Sequence, residues 1–132
     1  MANSMAVLMV ETELPIMMTC ANGAGIAKGQ CLKLSDPYTV AATSGANDLF
    51  GGIAAEEKIA DDGKTKIAVY RRGIFKVEAG TSGVSVGLPI IIEANNEFKD
   101  TAANGSDTGY VWGKALETAT DGDTFLAEIG SG

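Results

Sequence analysis

The chain has 132 residues and a mass of 13.5 kDa, which at about 100–200 residues per domain is one domain's worth of chain, and its 45% apolar and 20% charged content is that of a globular protein. Ten basic residues against 17 acidic ones give a net charge of -7. Such a surface gains nothing from counterion release, so nucleic acid and anionic lipid are excluded as main partners. Histidine is absent, which excludes Ser-His-Asp triads and His-ligated metal sites. Glycine is over-used at 17 residues, with only 3 prolines, so turns are frequent and the elements between them short.

All five methionines, Met1, Met5, Met9, Met17 and Met18, fall at the N-terminal end. The apolar run Met5-Ala6-Val7-Leu8-Met9-Val10 has no Lys or Arg before it and is too short for a signal peptide. No stretch approaches the ~20 apolar residues of a membrane span, and the expectation is a soluble protein that is not exported. Two readings of this run stand side by side. Residues 1–13 form an arm that docks on a partner through Met5, Val7, Leu8, Met9 and Val10, or the run is a first strand of the chain's own sheet. A single β domain is expected over residues 14–130.

From there, short apolar or alternating segments follow one another: Ile16 to Cys20, Ile26 to Leu34, Tyr38 to Ala42, Gly52 to Glu57, Lys66 to Tyr70, Ile74 to Ala79, Leu88 to Ala94, Tyr110 to Thr118 and Thr124 to Ile129. Turn signals separate them, among them Asn22-Gly23, Ser35-Asp36-Pro37, Asp61-Asp62-Gly63, Gly80-Thr81-Ser82-Gly83 and Asn95-Asn96. The pattern predicts an all-β protein, a small glycine-rich barrel or sandwich of about 8–9 short strands with little helix. The best helical segment is Ala54 to Ala60, which could equally finish a strand.

Two segments repeat. Gly25 to Leu34 aligns with Gly83 to Ile92, and Gly52-Ile53-Ala54-Ala55-Glu56 aligns with Gly113-Lys114-Ala115-Leu116-Glu117, in the same order along the chain. This weak internal duplication suggests two like half-sheets closing on each other, which would remove exposed edges.

Reactive groups are sparse. Cys20 and Cys31 are too few for a disulfide scaffold and lie in apolar stretches, so they read as buried free thiols. The acidic pairs Glu56-Glu57, Asp61-Asp62 and Asp121-Gly122-Asp123 read as solvated turn carboxylates rather than a catalytic pair, and no cofactor is expected. Asn104-Gly105-Ser106-Asp107-Thr108-Gly109 looks like a calcium loop without its terminal acidic ligand, and Gly80 to Ser85 looks like a phosphate loop without its lysine. Arg71 and Arg72 form the one basic pair, suited to acidic groups on another subunit, and Trp112 is by default a core aromatic and otherwise an interface anchor.

Taken together, Gly25-Ile26-Ala27-Lys28-Gly29, Phe50-Gly51-Gly52-Ile53-Ala54, Val69-Tyr70-Arg71-Arg72-Gly73-Ile74-Phe75-Lys76-Val77, Gly83-Val84-Ser85-Val86-Gly87 and Gly113-Lys114-Ala115-Leu116-Glu117 with Asp121-Gly122-Asp123 resemble the small capsid decoration, or cement, proteins of tailed phages. The likeness covers residues 14 to 130 and departs in the Met-rich leader. It implies a mostly β subunit, made in the host cytoplasm and carried on the outer capsid surface of the virion. There it would trimerise at three-fold sites and bind between major capsid protein subunits, with no catalysis. The alternative from another class is a small β module that binds carbohydrate or a cell surface. That module needs an exposed aromatic platform, whereas the chain has few aromatic residues and its own interior needs most of them.

Overall fold

The structure, a computed structural model, describes residues 5–46, 48–101 and 110–130. Its strands are β1 (Val7–Val10), β2 (Ile16–Thr19), β3 (Cys31–Asp36), β4 (Thr39–Ala42), β5 (Phe50–Ala54), β6 (Lys66–Tyr70), β7 (Gly73–Ala79), β8 (Pro89–Ala94), β9 (Glu97–Asp100), β10 (Gly113–Ala115) and β11 (Thr124–Ile129). The protein is thus all-β, with 11 strands rather than 8–9 and no α-helix among the described residues. β6 and β11 coincide with their predicted segments. β9 escapes the sequence pattern because Glu97-Phe98-Lys99-Asp100 carries one apolar side chain. It is a strand because Phe98 is fully buried while β7 and β8 supply backbone partners on either side.

Of the two readings of Ala54 to Ala60, the helical one does not form. Ala54 ends β5, and Lys58 instead exchanges two backbone hydrogen bonds with Ile26, at 2.9 and 2.7 Å. A bridge that satisfies both residues' donors and acceptors leaves one short segment no reason to coil.

The strands close into two barrels. β2, β4, β3, β5 and β6 form a closed five-stranded barrel in that order. The second sheet, ordered β1-β7-β11-β10-β8-β9, closes through an added β7–β9 pairing, with β1 laid along β7 beside β9. The strand orders match: the first strand of each set pairs parallel with the third, Thr19 with Thr39 and Glu78 with Glu97, and every other contact around the barrels is antiparallel. The internal repeat is therefore real, although its geometry differs from two half-sheets closing on each other. Each repeat closes on itself, because the parallel pairing joins its own first and third strands.

The match extends to single bonds. Gly29 N–H donates to Ala54 O and Gly87 N–H to Ala115 O, while Ile26 bridges Lys58 as Val84 bridges Ala119. The repeated Gly-x-Ala-x-Glu gains a physical reading from this. A side chain on Gly113 would overlap the Glu128 carbonyl, and one on Gly52 would overlap Val69, so both sites need a bare backbone for the strands to approach. Ala54 and Ala115 point inward and are buried. The Glu56 carboxylate accepts the Ala68 N–H at 2.8 Å and the Glu117 carboxylate the Leu126 N–H at 2.9 Å, each satisfying the last strand of its own barrel.

Two apolar clusters result. Met18, Cys20, Ile26, Leu32, Val40, Ala54, Ile67 and Val69 fill the first barrel, with no aromatic ring among them. The second cluster holds Phe75, Phe98, Trp112 and Phe125 and extends to Ala6, Cys31 and Ile53, so it is at once the interior of the second barrel and the joint to the first.

Candidate functional site

Several of the groups that could carry chemistry hold loops in place. Glu56 is bonded to the Ala68 N–H as described, and Asp62 accepts from Lys64 N–H at 2.9 Å and Lys58 Nζ at 3.2 Å. The Lys64 N–H, followed by the Lys58 ammonium, overcomes partial desolvation and holds the Asp62 carboxyl below its ordinary range. Lys58 itself is buried, and its ammonium also donates to the carbonyls of Asn22 at 2.7 Å and Ile59 at 3.1 Å. Its three protons thus tie two loops together, a role invisible in a sequence where Lys58 is one polar residue among many.

The glycine-serine loop after β7 is likewise occupied. Thr81 Oγ1 and Ser82 Oγ donate to the Glu93 carboxylate at 2.8 and 3.1 Å. Burial pushes Glu93 up, but these bonds prevail and lower its pKa, and an anion already seated there repels phosphate. Cys20 and Cys31 are buried and unpaired, and burial raises both thiols. The calcium-like stretch from Asn104 to Gly109 lies outside the described residues. Among the described residues no His, Cys, Asp and Glu cluster is placed to hold a metal, and no helix is long and apolar enough to cross a membrane.

Apolar side chains are also exposed. Val7, Met9 and Val10 of β1 are about half exposed, and Met5 and Leu14 are exposed beside them. β1 is nevertheless paired with the chain's own sheet, Val7 to Lys76, Leu8 to Phe75 and Val10 to Ile74, while Leu8 turns inward against the second cluster and Ala6 N–H donates to Gly29 O at 2.8 Å. Of the candidate arm residues, Val7, Met9 and Val10 therefore face outward, Leu8 does not, and Met5 is partly exposed with its sulfur accepting the Asn96 side-chain N–H at 3.5 Å.

The basic pair divides. Arg71 is half-buried, its guanidinium 4.6 Å from the centre of the Phe50 ring and 2.8 Å from Gly51 O, whereas Arg72 is exposed and reaches Glu13 at 3.9 Å. Trp112 has no exposed surface. Its ring lies between Phe50 and Phe98, with centroids at 5.0 and 5.6 Å, and its indole N–H donates to Asp48 O at 3.1 Å. An enclosed ring cannot anchor a neighbour, so the interface reading of Trp112 gives way to the core reading.

A family model described as phage cement protein matches residues 10–129, all but the ends of the chain. The chain belongs to the phage cement protein family. The match begins at Val10, so Met5 to Met9 lie outside it. Among solved structures, "The crystal structure of head fiber gp8.5 N base in bacteriophage phi29" is similar with a TM-score of 0.55 and 17% identity, covering 88% of this chain and 92% of that one, a likeness of fold. No curated protein matches the chain. This cement protein is accordingly a phage capsid-associated structural protein.

Sequence reading missed the polar joint that seats one barrel on the other. The Asn96 side chain accepts the Cys31 N–H at 2.8 Å and the Gln30 amide at 3.0 Å, and that amide also reaches Asn95 Oδ1 at 2.7 Å. Thr43 Oγ1 donates to Asn95 Oδ1 at 2.9 Å and accepts Asn96 N–H at 3.3 Å. Asn95-Asn96 signals a hairpin turn, which it also is. The left-handed backbone at Asn96, φ 61, aims its amide across the junction, and nothing local reveals that second role.

Proposed function

We propose that this cement protein decorates the outer surface of a phage head and reinforces it by binding between major capsid protein subunits, as a homotrimer at three-fold sites. The observation that carries the reading is the family match over residues 10–129. Exposed Met5, Val7, Met9 and Val10 support it as the capsid-facing strip, apolar surface that a solitary protein has no use for. Exposed Arg72, already near Glu13, is suited to a carboxylate on a neighbouring subunit. The work is holding rather than catalysis, since a weak contact repeated over many lattice sites stabilises a shell through multivalency. The net charge of -7 keeps decorated particles apart.

The test is binding of the purified protein to expanded heads that lack it, followed by electron microscopy of the decorated heads. Density at the three-fold sites, and heads that resist heating better than bare ones, are expected. Heads that remain bare at saturating protein sink the reading.

A further inference from the structure

Because the two barrels are built alike, each is a control for the other. At one end of the second barrel, Phe75, Ile92, Asn96 and Ile129 are at most 1% exposed, covered by the first barrel through Gln30, Cys31 and Tyr70 and by Met5 and Leu8 of the N-terminal segment. The matching positions of the first barrel are Ile16, Leu34, Tyr38 and Arg71. These line an open recess in which Ile16 is 38%, Leu34 37% and Tyr38 57% exposed.

The covering side shows the same imbalance in reverse. The first barrel covers its partner with Gln30, Cys31 and Ile53, all buried beneath it. At the matching positions of the second barrel stand Leu88, Pro89 and Lys114. Leu88 is 47% exposed, and neighbouring Val86 and Leu116 are 59% and 40% exposed. Each half of the joint thus has a counterpart without cover.

Tyr38 adds an independent sign. It occupies the hairpin position of Asn96 and shares its left-handed backbone, φ 54 against 61. That conformation suits asparagine and strains a bulky residue. Within the chain its carbonyl accepts the Thr19 N–H at 3.0 Å but its ring is 57% exposed, and a neighbour seated on that ring would help to offset the strain.

We infer that copies of this chain join head to tail, the Val86–Leu88 rim of one copy's second barrel seated in the first-barrel recess of the next. The contact repeats between chains the joint that unites the barrels within one chain. It is heterologous, so a suitable rotation closes it into a ring. Three copies would make a ring of six barrels, which deepens the trimer reading and rests on it for the number of copies alone. Lys114, exposed where the inner joint has the buried Ile53, brings a charge that must stay in water, which makes this contact the weaker of the two.

Sedimentation velocity from micromolar to millimolar concentration tests the inference, with thermal unfolding as a check on folding. The unaltered protein is expected to assemble, and Leu34→Asp and Leu88→Asp each to remain monomeric where it does so. An equal mixture of those two variants regains one intact contact and gives dimers. Tyr38→Asn weakens assembly about tenfold or more while its melting temperature holds or rises. A monomeric unaltered protein at millimolar concentration, variants that assemble like it, or a mixture that yields no dimers overturns the proposal. Binding to heads separates this from the decoration reading: heads decorated equally by a non-assembling protein leave decoration standing and end the ring, and rings that ignore heads do the reverse.

Discussion

The two barrels of this cement protein share one strand order and differ in what fills and covers them. The second encloses Phe75, Phe98, Trp112 and Phe125, three of which meet edge to face in the pairs Phe98–Trp112 and Phe98–Phe125. The first holds aliphatic side chains, Met18 and Cys20, and one of its ends stays open. A single topology therefore tolerates very different interiors, because closure depends on backbone pairing. The large rings fill the second barrel, which makes it the rigid half, and the exposed β1 strip lies along it, whereas the first barrel leaves its Ile16–Leu34–Tyr38 end open.

Breaking the aromatic side of this contrast should have the largest effect. Trp112→Ala removes a fully enclosed ring and its bond to Asp48 O, and is expected to cost ~3–5 kcal/mol in chemical denaturation. A loss no larger than that of an exposed substitution would mean that the second barrel is not the rigid half.

The hairpin position shared by the barrels gives the next test. Asn96→Ala strands the buried Cys31 N–H and leaves alanine in a left-handed conformation, for an expected loss of about 2–4 kcal/mol. The loss should appear as poorer seating of the barrels, read as faster hydrogen exchange at Gln30 and Cys31 while the Met18–Ile67 pairing inside the first barrel stays protected. Uniform loss of protection would show that the barrels unfold as one.

Where the barrels are alike, the effects should be alike. Glu56→Ala and Glu117→Ala each remove one carboxylate from an exposed strand N–H and should each cost about 1 kcal/mol. A difference between them larger than the value itself would break the equivalence of the repeats at this motif.

The smallest effect is a gain. Burial and the carboxylates of Glu78, Asp121 and Glu93 raise the pKa of Glu97 above its ordinary 4.5, so the folded state holds its proton more tightly than the unfolded state does. The stabilisation this brings is complete below the ordinary value and is lost as pH rises through the raised one. Near neutral pH Glu97 stands charged opposite Glu78, its partner across the parallel pairing, and Glu97→Gln should stabilise by ~0.2–1 kcal/mol. Below the carboxylate range that advantage should vanish, and its persistence there would place the effect elsewhere than in charge.

Much of the fold could be read from the sequence because it is written locally. Alternation with a period of two marks Lys66 to Tyr70 and Thr124 to Ile129, glycine and asparagine mark the turns, and the recurrence of Gly-x-Ala-x-Glu in order betrays the duplication. The buried state of Cys20 and Cys31 follows from their apolar neighbours. Other features belong to the tertiary structure. That each repeat closes on itself depends on brief parallel pairings at Thr19–Thr39 and Glu78–Glu97, between strands separated by a hairpin. That Asn96 joins two barrels, that Trp112 is enclosed and that the Ile16–Leu34–Tyr38 end stays open depend on where one barrel rests on the other. Such seating joins residues more than sixty positions apart, as Gln30 and Asn96 show, and no pattern within a short window carries it.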